Sequence, residues 1–204
     1  MVIKFSSGTS DFAELSTTPS AYLVDKSLLI RELFSELDKV VLIPRPRRFG
    51  KTLNMSMLFN FLSNPDSRPW FEKLKINHYP EIMAELGQHP TIFLSFKDAK
   101  QTSYSEMLTY LAEVMAETYA KFNFLFEKLP AHQQIDFKNI LEKKAAASTL
   151  QRSLFTLTQM LKDATGKLVW IVLDEYDAPI HSGWQYGVQP RINVRTSSQI
   201  NLKI

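Results

Sequence analysis

The chain has 204 residues, 45% hydrophobic and 22% charged, an ordinary composition for one sizeable soluble domain. It contains no cysteine, so disulfides and cysteine-ligated zinc or iron–sulfur sites are excluded. The 24 basic and 21 acidic residues give a net charge of +3, which is too small an excess to indicate nucleic-acid binding by itself. No apolar run approaches the roughly 20 residues of a membrane span, and we expect a cytoplasmic protein with no part in a membrane.

The N-terminal residues 1–20 are rich in serine and threonine and predict an extended or loosely packed arm, in which residues 11–15 can form one helical turn. A helix over about 26–37 follows, because apolar residues recur on one stripe, and Asp25 stands in its N-cap position. Contact of Asp25 and Lys26 with the base or ribose of a nucleotide is the alternative. We favour a helix cap beside a solvated lysine.

An uninterrupted apolar run over 40–43 predicts a first strand that is buried on both faces. A turn rich in proline and arginine then leads to Gly50-Lys51-Thr52 and to a helix over about 51–63, which ends at Asn64-Pro65. Strand, turn and helix N-terminus in this order are the layout of a P-loop. The alternative is a strand–turn–helix unit with a surface lysine.

The residue types in this turn suit a nucleoside triphosphate, because backbone N–H groups at a helix N-terminus attract phosphate. Gly50 permits close approach of the backbone, Lys51 is placed to reach the β- and γ-phosphates, and the Thr52 hydroxyl can bind Mg²⁺. Arg45 stands where the general pattern has its first glycine. The sequence therefore predicts a variant phosphate loop.

Three arginines, Arg45, Arg47 and Arg48, add positive charge to this loop, and the planar guanidinium group suits phosphate. We include Arg47, Arg48 and Phe49 with Gly50-Lys51-Thr52 in the predicted nucleotide-binding set. The alternatives for the arginines are a solvated basic turn and contact with a nucleic-acid backbone.

The middle of the chain alternates helices and strands after a mixed insert over 64–90. The patterns predict, in chain order, a strand over 91–96, a helix over about 103–121, a helix over about 133–164 with a break near Ala145, a helix stop at Gly166 and a strand over 168–173. This alternation predicts an α/β fold with a parallel sheet covered by helices on both faces.

The third predicted strand runs directly into Asp174 and Glu175. In a P-loop protein an acid at the carboxyl end of a buried strand holds the Mg²⁺ shell, and a following glutamate polarises the attacking water. We therefore predict Thr52 and Asp174 as magnesium ligands and Glu175 as the catalytic general base. The alternative is a helix cap or an ordinary strand end.

The other polar residues give weaker signals. Residues 95–98 lie at the carboxyl end of a strand, where α/β proteins bind ligands, and a supporting role is one interpretation. The four histidines show no metal-ligand spacing, and we interpret each as a surface or packing residue: His78, His89, His132 and His181.

The composition changes after about residue 182, where large apolar residues become few. Residues 191–196 alternate like a half-exposed strand, but no further element follows them. We therefore divide the chain into an N-terminal arm over 1–20, a P-loop domain over 21–182 and an atypical tail over 183–204.

Four segments together resemble the prokaryotic AAA-ATPase-like domain family, whose members often carry a PD-(D/E)XK nuclease-like domain further on. The resemblance covers about residues 8–182. The segments are Tyr22-Leu23-Val24-Asp25-Lys26-Ser27, Arg45-Pro46-Arg47-Arg48-Phe49-Gly50-Lys51-Thr52 with its following helix to Leu58, Ile92-Phe93-Leu94-Ser95-Phe96-Lys97-Asp98, and Leu173-Asp174-Glu175-Tyr176-Asp177-Ala178-Pro179-Ile180.

The resemblance implies ATP binding at Gly50, Lys51 and Thr52 as the Walker A loop, with Asp174 and Glu175 as the Walker B pair. It also accounts for the arginine in the loop, which is characteristic of that family. It implies a sheet in which an extra strand, later in sequence than Walker B, lies between the two motif-bearing strands and ends in a polar sensor.

The tail over 183–204 contains no recognisable sensor strand, arginine finger, lid or nuclease domain. We therefore expect a truncated or frameshifted member whose sheet is incomplete at the C-terminus. Three outcomes stay open: residues 191–196 replace the missing strand, the sheet closes differently, or the product is unstable.

The sequence thus predicts an ATP-binding P-loop domain that is by ancestry a Mg²⁺-dependent ATPase, provided that the missing sensor and arginine are supplied. The alternatives are a nucleotide-binding module that does not hydrolyse, a nucleic-acid-associated module acting through a nuclease-like domain absent from this chain, and an inactive gene remnant. No oligomeric state is predicted.

Overall fold

The computed structural model describes residues 9–19, 21–36, 38–44, 49–179, 181 and 200–203, the last as backbone only. The chain divides into two compact units, unit 1 with Met1–Thr91 and Leu202–Ile204 and unit 2 with Ile92–Asn201. The elements in chain order are α1 (Phe12–Thr17), α2 (Leu28–Ser35), β1 (Val40–Val41), α3 (Lys51–Ser63), α4 (Arg68–Phe71), α5 (Pro80–Met83), β2 (Thr91–Ser95), α6 (Tyr104–Lys121), α7 (Ala131–Leu141), α8 (Ala147–Thr165), β3 (Val169–Asp174) and β4 (Ile200–Lys203). Among the described residues, none of these helices combines the length and apolar character needed to cross a membrane.

The N-terminal helix α1 is packed against the rest of unit 1. The Asp11 carboxylate caps it by accepting a backbone N–H of the first turn at 2.8 Å. Phe12 is fully buried, with its ring centroid 5.0 Å from that of Phe71, and Leu15 is buried one turn later. The expectation of a loosely packed arm is therefore wrong for residues 9–19, because α1 has an apolar face that it buries.

The segment before α2 is held by side chains that cap backbone groups elsewhere. The N-cap of α2 is Ser27, so the helix begins later than predicted and the N-cap assignment of Asp25 is wrong. The Asp25 carboxylate instead accepts the N–H groups of Ser27 at 2.8 Å and of Lys75 at 2.7 Å. The hydroxyl of Ser27 accepts the N–H of Ile76 at 3.1 Å. Both side chains thus tie this segment to a 3₁₀ turn fifty residues later.

The first strand, β1, is shorter and more exposed than predicted. It comprises two residues, and Val40 and Leu42 are 39% and 52% exposed. The prediction of a strand over 40–43 buried on both faces is wrong. Within the described part of the chain β1 pairs with β4 alone, which makes it an edge strand with one side uncovered.

The helix after the turn, α3, has the predicted bounds and a C-cap at Asn64. It buries five residues: Met55, Met57, Leu58, Phe61 and Leu62. Two of its last carbonyl groups accept N–H groups from a later segment, Phe61 from Gly87 at 2.7 Å and Leu62 from His89 at 2.9 Å. These bonds satisfy carbonyls that a helix end would otherwise leave unpaired.

In unit 2, β2 and β3 are neighbours and confirm the second and third predicted strands. The N–H of Phe96, which follows β2, donates to the carbonyl of Asp174 at the end of β3 at 3.0 Å. The two strands therefore end at the same edge and run in the same direction.

The helices of unit 2 follow the predicted pattern. The helix predicted over 133–164 is two helices, α7 and α8, with the break around Ala145 confirmed. The chain is left-handed at Lys143, after α7, and at Gly166, which ends α8 as predicted. The Tyr119 hydroxyl on α6 donates to the carbonyl of Ser153 on α8 at 2.7 Å, and burial raises the pKa of Tyr119.

The last strand, β4, changes the expectation of an incomplete sheet. In unit 1 its last residues pair in parallel with β1, Leu202 with Val40 and Lys203 with Val41. In unit 2 it lies beside β3. Of the three open outcomes, this pairing favours a sheet that closes with a different strand; residues 191–196, the other candidate strand, lie outside the described residues. Helices and a small parallel sheet are compatible with the predicted α/β class.

Candidate functional site

Among the described residues, the N-terminus of α3 has no cap. Gly50 has φ 73°, a left-handed conformation that an L-residue adopts only with strain, and no atom lies within 4 Å of the position of an added Cβ. The first intrahelical bond runs from the N–H of Asn54 to the carbonyl of Gly50 at 3.0 Å, and no side chain of a described residue caps this end. In the described part of the chain the N–H groups of Lys51, Thr52 and Leu53 therefore have no acceptor, and they point where an anion is favoured.

Two side chains of the predicted nucleotide site lie on this first turn. Lys51 and Thr52 are half-buried, and among the described residues neither the ammonium group nor the hydroxyl makes a hydrogen bond or ion pair. Phe49 precedes them and is 65% exposed. The predicted contributions of Arg45, Arg47 and Arg48 lie outside the described residues.

The second group of predicted site residues begins at the carboxyl end of β3. Asp174 is only 3% exposed, yet within the described part of the chain its carboxylate has no hydrogen bond or ion pair. Its oxygens are not among the fully buried, unpaired side-chain atoms of the described residues, so they keep some contact with solvent and are accessible to a cation.

Glu175 turns the chain away from β3. Its φ is 51°, and its carbonyl accepts the N–H of Ala178 at 3.0 Å. A non-glycine residue in this conformation costs about 1–2 kcal/mol. Strain of this kind is often found at functional sites. Here it ends the extended backbone of β3 and leaves the Glu175 side chain half-exposed.

The same edge of unit 2 contains a tyrosine that sequence reasoning missed. Burial raises the pKa of Tyr110, and the negative charges of Asp98, Glu117 and Glu175 raise it further. Asp98 belongs to the 95–98 segment that the sequence singled out, so the structure does bring that segment near Glu175. Tyr110 lies on α6. In the sequence its spacing is that of an ordinary packing residue of the helix, so nothing indicated that it lies near charged side chains.

A metal site made by protein side chains alone is not formed: the described residues contain no cluster of three or more histidine, cysteine or acidic side chains that could hold an ion. The hydroxyl of Thr52 and the carboxylate of Asp174 are oxygen donors, which is the chemistry that Mg²⁺ selects. Mg²⁺ commonly uses one or two protein ligands together with substrate phosphates, so Thr52 in unit 1 and Asp174 in unit 2 each suit this ion by the chemistry of their oxygens.

Three of the four histidines have other partners. His89 Nε2 lies 2.9 Å from Glu85 Oε2, and His181 Nε2 lies 3.5 Å from Asp177 Oδ2. His78 Nδ1 lies 3.2 Å from the carbonyl of Lys75. These contacts agree with the interpretation of the histidines as surface and packing residues.

The predicted site residues thus form two groups, Gly50-Lys51-Thr52 in unit 1 and Asp174-Glu175 in unit 2. A family model described as "Predicted AAA-ATPase" matches residues 6–196, a stretch that contains both groups and almost the whole chain. Neither curated proteins nor solved structures gave a match. The chain therefore belongs to the AAA-ATPase-like family of predicted AAA-ATPases.

Proposed function

We propose that this chain binds ATP with Mg²⁺ and that the phosphates sit at the N-terminus of α3. The observation that carries the proposal is the uncapped first turn, where three N–H groups, the Lys51 ammonium and the Thr52 hydroxyl have no partner among the described residues. An anion would accept hydrogen bonds from these donors, which the helix itself leaves without an acceptor. Membership of a family of predicted AAA-ATPases supports the same ligand.

The residues of the first turn would divide the work. The N–H groups of Lys51, Thr52 and Leu53 would donate to phosphate oxygens, and Lys51 would offset the charge of the β- and γ-phosphates. Gly50 supports this arrangement by its left-handed φ of 73°, which residues with a Cβ adopt only with strain. Phe49 and the arginines of the loop stay in the proposed nucleotide-binding set.

The acidic group supports the hydrolytic half of the proposal. Asp174 and Thr52 would each supply an oxygen ligand to Mg²⁺, which when bound would offset charge on the phosphates. Glu175 would accept a proton from the attacking water and orient it. The carboxylate of Asp174, 3% exposed and without a hydrogen bond or ion pair among the described residues, supports the metal role, and the half-exposed carboxylate of Glu175 supports the proton role.

Binding and hydrolysis are separated by two measurements on one sample, calorimetric titration with ATP and Mg²⁺ followed by a phosphate-release assay. We expect binding by the wild type, and turnover if the chain is an ATPase. Glu175→Gln should keep ATP affinity within about threefold and lower turnover by about 10²-fold or more, because it removes the base and not a phosphate contact.

The other outcomes have distinct readings. Binding without turnover favours a nucleotide-binding module. A folded sample with neither binding nor turnover contradicts the proposal and favours an inactive remnant. Turnover that is unchanged in Glu175→Gln contradicts the role of Glu175 alone.

A further inference from the structure

We infer that Ser56 and Asp11 form a clip that positions the phosphate-binding end of α3, so that ATP affinity depends on the docking of α1. The inference rests on the proposed function, since it concerns how the same nucleotide site is held. It assigns Ser56 and Asp11 as positioning residues, neither of which touches the nucleotide.

The clip consists of two hydrogen bonds to one hydroxyl. Ser56 Oγ accepts the backbone N–H of Phe12 at 3.0 Å and donates to Asp11 Oδ1 at 3.3 Å. Asp11 Oδ1 also accepts the N–H of Ala13 at 2.8 Å, so the carboxylate that caps α1 is the one that holds α3. The start of one helix is thereby fixed against the side of the other.

The position of Ser56 on α3 connects this clip with the proposed site. Residues four apart lie on the same face of a helix, one turn from each other. Ser56 is four residues after Thr52, so the N-terminus of α1 is anchored one turn below the residue proposed to bind Mg²⁺. A shift of α3 relative to α1 would move the hydroxyl of Thr52 and the free N–H groups of the first turn.

The use of this hydroxyl is unusual for a serine within a helix. Such hydroxyls commonly bond to a carbonyl of the preceding turn in their own helix, as Ser63 does with the carbonyl of Phe59 at 2.8 Å. The Ser56 hydroxyl makes both of its bonds to the N-terminal segment instead. Ser56 therefore contributes to the relation between two helices, and Ser63 is its natural control.

The attachment of α1 does not depend on the clip. Phe12 is fully buried, and its ring centroid is 5.0 Å from that of Phe71, which in turn lies 5.3 Å from that of Phe61 on α3. These apolar contacts would keep α1 docked without the Ser56 bonds. The hydrogen bonds of Ser56 and Asp11 then fix the position of α3 relative to α1, as supporting residues do for a binding group.

The far end of α3 is fixed independently by Gly87 and His89, whose N–H groups bond its last carbonyls. The helix is therefore held at its C-terminal end by one segment and near its N-terminal end by another. Loss of the clip would free only the end that faces the proposed phosphates.

The test compares ATP affinity of Ser56→Ala with that of Ser63→Ala, a matched substitution on the same helix. We expect Ser56→Ala to weaken ATP binding by about three- to tenfold, the range that corresponds to one lost ordinary hydrogen bond. Ser63→Ala should bind like the wild type. Asp11→Ala should weaken binding in the same direction, and Asp11→Asn, which keeps the acceptor oxygen, should restore it at least in part.

Hydrogen exchange at the Phe12 amide supplies a readout that a purely structural role would not move. Because coupling is reciprocal, ATP should slow exchange of this amide in the wild type and not in Ser56→Ala. If Ser56→Ala does not fold, the comparison of ATP affinity and Phe12 exchange is made between Asp11→Ala and Asp11→Asn, which change an exposed side chain.

The outcomes separate the inference from the proposed function. Binding by the wild type with equal affinity in all the serine and aspartate variants overturns the clip and leaves the proposed function standing. Absence of ATP binding by the folded wild type overturns both.

Discussion

At the scale of single residues, two non-glycine positions among the described residues are left-handed, Lys143 with φ 57° and Glu175 with φ 51°. Lys143 follows α7, and its N–H donates to the carbonyl of Ile140, so it occupies a position where glycine is the common residue. Glu175 follows β3 and closes no helix. A functional role of its side chain is one reason for such strain, and the proposed catalytic role would supply it.

The strain at these positions predicts that glycine stabilises both. Lys143→Gly and Glu175→Gly should each raise the free energy of unfolding by about 0.5–1 kcal/mol, since the cost of the left-handed conformation exceeds the entropy cost of glycine. Urea unfolding measures the gain. Lys143→Gly should leave ATP turnover unchanged, whereas Glu175→Gly should abolish it. A loss of stability in both variants would show that neither position is strained.

The negative charge of Asp25 stabilises the fold through the backbone N–H groups that its carboxylate accepts. Burial raises the pKa of Asp25, but hydrogen bonds from Ser27 and Lys75 outweigh burial and hold the pKa below its ordinary value of 3.8. A carboxylate with a depressed pKa stabilises the fold above its unfolded pKa, and this contribution is lost as the pH falls through the folded value.

We therefore predict that Asp25→Asn is less stable than the wild type at pH 5–7 and that the difference shrinks below about pH 4. Urea unfolding across this range measures it. Asp66→Asn is the control, because the exposed Asp66 side chain makes no hydrogen bond within the described residues. A difference that is constant with pH would contradict the role of the Asp25 charge.

At the scale of elements, the C-terminal end of α3 depends on one glycine. Gly87 has φ 73°, and a Cβ added there would lie 2.5 Å from Cα and 2.6 Å from N of Pro65. Both contacts are with backbone, which cannot rotate away as a side chain can. The close approach is what allows the N–H of Gly87 to reach the carbonyl of Phe61.

Gly87→Ala should therefore destabilise the protein by roughly 2–4 kcal/mol, the sum of the left-handed penalty and the backbone shift that the contact forces. Gly166→Ala is the matched control: its φ is 67°, but no atom lies within 4 Å of an added Cβ. It should cost only about 1–2 kcal/mol. Thermal unfolding compares the two, and equal losses would rule out the steric contribution of Pro65.

The elements that the sequence predicted well are those whose signal is local. The bounds of α3, the break between α7 and α8 and the end of the last helix at Gly166 follow from propensity and helix stops. The errors concern contacts distant in sequence. The apolar run at β1 indicated burial, but an edge position left Val40 exposed, and the Asp25 carboxylate caps a turn at Lys75 that no spacing rule connects with it.

At the scale of the whole molecule, each of the two predicted motifs is a short continuous stretch of sequence. The family and the candidate residues could therefore be recognised without a structure. The strand β4 could not be predicted in this way, because its four residues have no distinctive pattern and its pairing with β1 joins residues about 160 positions apart. Tyr110 was likewise missed because two of the charges that act on it, Asp98 and Glu175, come from other elements. The division into an arm, a domain and a tail stays a prediction.

The central claim is that the first turn of α3 binds the phosphates of ATP, and one calorimetric titration with ATP and Mg²⁺ tests it most directly. Lys51→Ala should weaken binding by at least about tenfold, since it removes charge-assisted hydrogen bonds worth about 1.5–3 kcal/mol each. Lys73→Ala, which changes an exposed lysine of the same unit, should bind like the wild type. Equal affinity of Lys51→Ala and the wild type, with both samples folded, would contradict the account.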